Sequence, residues 1–200
     1  MTSLDEAVLG ILDARRGRDH IILWHKTDAA RDAVVGEFVD VAGKEGDYVA
    51  MTLCLGDFAG LERGLSKKLH NLKDLIDEGN LVMFVSCEFL PRKDGTHTVR
   101  VRKCFSELEG KAKDEKRGLR MVGTVPFATL AVGDITDCME LERITQESLR
   151  RGRMLCLYDM RMLRNVNRDQ MTQVNERHTH VLVEEEGERI ALSAKPPKRR

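Results

Sequence analysis

Residues 151–159, Arg-Gly-Arg-Met-Leu-Cys-Leu-Tyr-Asp, carry the reading that decides the fold. Met154, Leu155, Cys156 and Leu157 form an unbroken apolar run, the pattern of a strand covered on both faces. Tyr158 and Asp159 then supply a hydroxyl and a carboxylate where such a strand ends. In open α/β sheets, ligands bind just outside the carboxyl ends of the strands. The stretch therefore predicts a parallel-sheet protein and marks a place for a site, while naming no reaction.

Working outward, similar apolar runs recur. HIILW (20–24), YVAMTLCL (48–55), LVMFVSC (81–87), LRMVGTV (119–125) and the segment opening at His180 all read as strands. Between them the apolar spacing changes to three and four. Asp28 is a plausible N-cap for a helix carrying Ala29, Ala33, Val34, Phe38 and Val41. Leu61, Leu65, Leu69, Leu72 and Ile76 predict one long helix from Asp57, stopped at Gly79-Asn80. Val101, Cys104, Phe105, Leu108 and Ala112 predict another, and residues 134–151 a third. Pro126 ends the strand before it, and Asn167 caps a short helix through Arg177. Strands alternating with helices mean βαβ crossovers, hence a three-layer α/β sandwich with a mainly parallel sheet and helices on both faces.

The chain of 200 residues is 42% apolar and 33% charged, in the range of one globular domain with a full core. Its 33 basic residues balance 33 acidic ones, so charge gives no argument for a nucleic acid or a membrane surface. The longest apolar runs are too short to span a bilayer. Residues 1–16 read as an amphipathic helix, not a signal peptide, because acids precede the apolar positions. Five cysteines, mostly inside apolar runs, suggest reduced thiols and a cytoplasmic location. The organisation expected is this helix, a domain over 17–190, and a basic, disordered tail over 191–200.

The chemistry is sparse. Trp24-His25-Lys26-Thr27-Asp28 lies where phosphate loops lie, but the Gly-x-x-x-x-Gly frame that wraps phosphates in backbone N–H groups is absent. Cys54, Cys87 and Cys156 fall near strand ends, with His25 after the first strand. Together they are candidates for a metal or redox site, against the commoner use of cysteine as a small core residue. No Cys-x-x-Cys pair supports the metal reading. His178 and His180 flank Thr179 at a strand entrance without an evident third ligand. The basic run 150–153 reads as a cap on the negative end of the helix before it.

Four stretches, GRDHIILWH (17–25), the helix Ala29 to Gly43 with EGDYVAMTL (45–53), GRMLCLYDMRML (152–163) and ERHTHVLVEEEG (176–187), resemble the MEDS domain. This is the sensory domain of methanogen and methylotroph proteins related to the dichloromethane-response regulator DcmR. The resemblance frames nearly the whole chain and matches His20, Cys156, Tyr158, Asp159 and His180 to recurrent residues of the family. It implies a RecA- and KaiC-like fold that has lost its phosphate loop, used for sensing small molecules such as hydrocarbon derivatives.

The expectation is then a non-enzymatic sensory domain without a cofactor, binding a small, largely apolar ligand at the carboxyl edge of its sheet. Trp24 and His25 would line the wall, Cys54 and Cys87 the floor, and Tyr158 with Asp159 would orient a polar atom. With no helix-turn-helix or kinase segment in the sequence, the signal would pass through a protein partner or a homodimer. Two alternatives stand beside it: a degenerate nucleotide-binding protein using Lys26, and a metal or redox sensor using His25, Cys54, Cys87 and Cys156.

Overall fold

The computed structural model describes residues 2–14, 18–85, 87–163, 166–186 and 188–193, apart from the side chains of 55–57 and 87. Its strands are β1 (Ser3–Leu4), β2 (Arg18–His25), β3 (Tyr48–Leu53), β4 (Leu81–Val85), β5 (Leu119–Gly123), β6 (Gly152–Asp159), β7 (His180–Glu184) and β8 (Arg189–Leu192). Its helices are α1 (Glu6–Leu12), α2 (Asp28–Glu45), α3 (Leu55–Lys68), α4 (Leu72–Asp77), α5 (Thr96–Asp114), α6 (Val125–Ala131), α7 (Ile135–Ser148) and α8 (Arg168–Asn175). The strands form one sheet in the order β1-β8-β7-β2-β6-β5-β3-β4. Only the β7–β8 pair is antiparallel. Among the described residues, no helix is long and apolar enough to cross a membrane.

Alternation along each strand divides the core. Ile21, Leu23, Met51, Leu155 and Leu157 face α1 to α4, whereas Ile22, Trp24, Met121, Cys156 and Tyr158 face α5 to α8. Both layers are dense, and burying each such Leu or Ile contributes about 1.5–3 kcal/mol. The α/β sandwich read from residues 151–159 is therefore the fold, and β6 lies near its centre, hydrogen-bonded to β2 and β5.

Several local expectations differ. The leucine series from 61 to 76 spans two helices, because Leu69 turns extended (φ −109°) and ends α3 while its side chain still reaches the core. Periodic leucines mark a buried face and do not guarantee a continuous backbone. Pro126 ends a strand but also sits in the first turn of α6, where its missing N–H costs nothing. Thr27, not Asp28, caps α2 through its hydroxyl. Residues 191 and 192, expected in a tail, belong to β8, and Ala191 is buried. Residues 194–200 lie outside the described part.

The basic run works differently from its expected role as a helix cap. The backbone N–H groups of Arg150 and Arg151 donate to Glu109 of α5. Gly152 has φ +97°, and a Cβ there would collide with the Leu119 carbonyl oxygen, so only glycine suits the start of β6. Arg153 is buried and turns to α1, donating to the carbonyls of Ile11, Leu12 and Ala14 and pairing with Asp19 at 2.9 Å. Its register partner Arg120, fully buried, pairs with Asp47 at 2.9 Å and also donates to Leu12 and Ala14. Two arginines on neighbouring strands thus cap α1, a helix far away in sequence.

Candidate functional site

The register of β2 on β6 sets Trp24 beside Tyr158 and His25 beside Asp159. Because consecutive strand residues point to opposite faces, these two pairs stand on opposite sides of the sheet. Tyr158 and Asp159 therefore do not orient the same atom, nor do Trp24 and His25 share a wall. The structure makes two places from the one expected.

On the α2 side, His25, Asp159, Arg31, Leu53, Thr124 and Phe127 are among the residues lining a cavity of about 20 Å³. Asp159 accepts the backbone N–H and the guanidinium of Arg161, which also pairs with Asp28. Burial acts to raise the Asp159 carboxyl, but those Arg161 bonds bring it below the usual range. Burial drives His25 down to about 4 despite the facing Asp159 carboxylate, so the ring is neutral. Cys54 opens α3 with its N–H donating to Thr124. The Cys87 side chain lies outside the described residues.

The loop after β2 is filled from within. The N–H groups of Lys26 and Thr27 and the Thr27 hydroxyl all donate to the Glu184 carboxylate, at 2.5, 2.9 and 2.9 Å. A helix N-terminus favours an anion, and here a buried side chain of β7 supplies it. A phosphate arriving at this place would meet a carboxylate.

On the other face lies a fully buried polar cluster. His20 of β2, Cys156 and Tyr158 of β6, Cys138 and Glu142 of α7, and His178 ahead of β7 meet beneath α7 and α8. The Tyr158 hydroxyl donates to Glu142 Oε1 at 2.5 Å and lies 3.4 Å from Cys138 Sγ. Glu142 Oε2 is 3.1 Å from His20 Nε2 and 3.4 Å from His178 Nε2, and His20 Nε2 is 3.2 Å from Cys156 Sγ. His178 Nδ1 stands 2.9 Å from the Val174 carbonyl. Trp24 closes one side, its ring 4.7 Å from that of Tyr158 and its Nε1–H donating to Asn175 at 2.7 Å.

Burial pushes Tyr158 and Cys156 well up and Cys138 up to about 12, reinforced in each by the Glu142 charge. Burial would raise Glu142 too, but His178, His20 and the Tyr158 hydroxyl hold it down to about 2. It is a carboxylate in an apolar interior. Ligand-type atoms of His20, Glu142, Cys156 and His178 all lie within 4.8 Å of one another. His25 and Cys54 are not part of this group, so the cysteine set proposed from spacing does not assemble around Cys156.

Glu142 escapes sequence reading, and His178 is read there only as half of a histidine pair without a third ligand. Glu142 sits four residues from Cys138 and one from Leu141, inside the buried face of α7. An acid inside an apolar stripe was the available signal. His178 is buried while His180 is half-exposed, 3.6 Å from Asp19, because the chain bends at Thr179 before the alternation of β7 begins.

A third feature is apolar. Phe89, Val101, Cys104, Phe105, Pro126, Leu141 and Met154 are among the residues lining a crevice of about 20 Å³ beneath α5. A larger groove, about 760 Å³, runs along the amino ends of the strands and carries Arg18, Lys113, Arg117 and Arg151 with Glu45 and Glu109.

Order of strands, filled loop and buried cluster together define a RecA-like α/β domain without a glycine-framed phosphate loop. Residues 19–179 match the MEDS family, the MEthanogen/methylotroph, DcmR Sensory domain, and the chain belongs to that family. No curated protein matches it. Among solved structures, a Pyrococcus horikoshii OT3 protein studied as project PH0250 is similar at TM-score 0.59 and 6% identity, covering 96% of this chain and 93% of that one. The uncharacterized protein PH0321 of Pyrococcus horikoshii, solved with an unknown peptide, reaches TM-score 0.62 at 13% identity over 85% and 78%. An ATPase domain reaches 0.55 at 9% identity over 90% and 75%. At these identities the likeness is one of fold.

Proposed function

We propose that the chain is a non-enzymatic sensory domain that binds a small, largely apolar molecule in the crevice beneath α5. The crevice is the observation that carries this reading. Its walls are almost wholly apolar, and the end of β3 and the start of α6 reach it through Thr52 and Val125. About 20 Å³ exceeds the roughly 10–15 Å³ that one water requires, so the space suits one or two heavy atoms of ligand. Cavities lined by apolar side chains take small apolar guests. The family places the chain among sensory domains, and the Glu184 carboxylate at the head of α2 argues against nucleotide chemistry.

The ligand would shift a conformational equilibrium by preferring one state of α5, and a protein partner or second copy would read that state. Chloromethane, methanol and xenon, each of one or two heavy atoms, are suitable probes. The Met154 methyl group, which lines the crevice, should show a saturable NMR shift with at least one of them. Cys104→Met, which fills the space, should abolish that shift while the protein stays folded. No saturable shift with any probe, or one equal in the filled variant, would reject the crevice as the sensing site.

A further inference from the structure

We infer that His20, Glu142, Cys156 and His178 form a buried binding site for one divalent transition metal of the zinc class. In a tetrahedral zinc site, bonds of about 2.0–2.3 Å place neighbouring ligand atoms about 3.3–3.6 Å apart. Three of the six separations here, 3.1, 3.2 and 3.4 Å, fall close to that range, and all six are within 4.8 Å. The donors come from four separate places, β2, α7, β6 and the turn between α8 and β7, so local spacing did not create the grouping.

Three chemical arguments favour a cation. The Val174 carbonyl only accepts, so His178 Nδ1 carries the hydrogen in their contact. His178 Nε2 then either bears a second proton, making a buried imidazolium, or turns its lone pair toward the carboxylate 3.4 Å away. A metal ion removes that choice, because it accepts both lone pairs. Second, one carboxylate and one thiolate cancel a divalent charge, leaving a neutral site where an unbalanced charge is costly. Third, two outer partners are those of a metal centre, a backbone carbonyl behind His178 and the Tyr158 hydroxyl behind Glu142, while His20 Nδ1 is buried without one. Four protein ligands in a fully buried place leave no open position, so the site would hold α7 and the segment ahead of β7 against β2 and β6, or report on metal supply. It is independent of what occupies the crevice beneath α5.

Elemental analysis of the full chain, purified without chelator, should find one zinc per chain. After chelation, one equivalent of cobalt(II) should bind and show a thiolate-to-cobalt charge-transfer band. Cys156→Ser should remove the band, whereas Cys138→Ser, one residue outside the ligand set, should keep it. His178→Gln should weaken cobalt binding at least tenfold. Folded wild-type protein that arrives metal-free and takes up no cobalt would overturn the proposal, whatever the variants do. So would a cobalt band that survives Cys156→Ser, since the metal would then lie elsewhere.

Discussion

Strand β6 carries two buried polar sites only three residues apart, and they differ in kind. At its start, Arg153 with its neighbour Arg120 brings many donors to matching acceptors: Asp19, Asp47 and the last carbonyls of α1. Every charge there meets an opposite charge or a backbone dipole, which is how a fold closes a helix end. Midway along the strand, Cys156 and Tyr158 join a set rich in electron-pair donors, with two imidazoles turned toward one carboxylate and a thiol against one of the imidazoles. A saturated network reads as architecture. A surplus of Lewis bases in a dry interior reads as a place for something else.

The largest expected effect breaks the first region. Arg153→Met takes the guanidinium from Asp19 and the Ile11 carbonyl, leaving the Leu12 and Ala14 carbonyls to Arg120, and should destabilise by about 3 kcal/mol, measured by urea unfolding. The loss should be the same with and without chelator. In the second region, Tyr158→Phe removes a bond to a buried carboxylate and should cost about 2 kcal/mol. There the cost should differ between metal-loaded and chelated protein; equal costs would erase the distinction between the two regions.

Off both regions, His25 supplies a pH test. Its folded value of about 4 lies below the ordinary 6.5, so the unfolded chain binds a proton that the folded one refuses. That stability is present above pH 6.5 and falls away toward pH 4, by up to about 1.4 kcal/mol per pH unit. His25→Gln should flatten this decline relative to the wild type in unfolding measured from pH 7 to 4. The smallest effect is at the cluster's rim: Trp24→Phe removes one hydrogen bond to Asn175 and should cost about 1 kcal/mol by thermal unfolding.

How much of this was legible follows from what each feature depends on. The strands were readable because a run such as 154–157 is apolar without a break, and the crossovers because spacing changes to three and four between runs. The helix at 125–131 was missed because VPFATLA is nearly apolar throughout, so no periodicity sets it apart from the strand before it. Residues 154–159 lead to the strand that borders the buried cluster, but the alternation of a strand sets Tyr158 and Asp159 on opposite faces of the sheet, so they cannot serve one site. Glu142 was harder, because only the docking of α7 on β2 and β6 shows that its carboxylate faces His20 and Tyr158. The bend that buries His178 is likewise a tertiary fact, fixed by Thr179 bonding to His20 across the sheet.

The second region of β6 is a metal site, whereas the first is a structural network. Diffraction from crystals of the full chain, recorded on both sides of the zinc absorption edge, tests it most directly. The account predicts one anomalous peak among His20 Nε2, Glu142 Oε2, Cys156 Sγ and His178 Nε2, present above the edge and lost below it. Crystals grown with zinc that show these four atoms hydrogen-bonded to one another, with no anomalous peak between them, would contradict it.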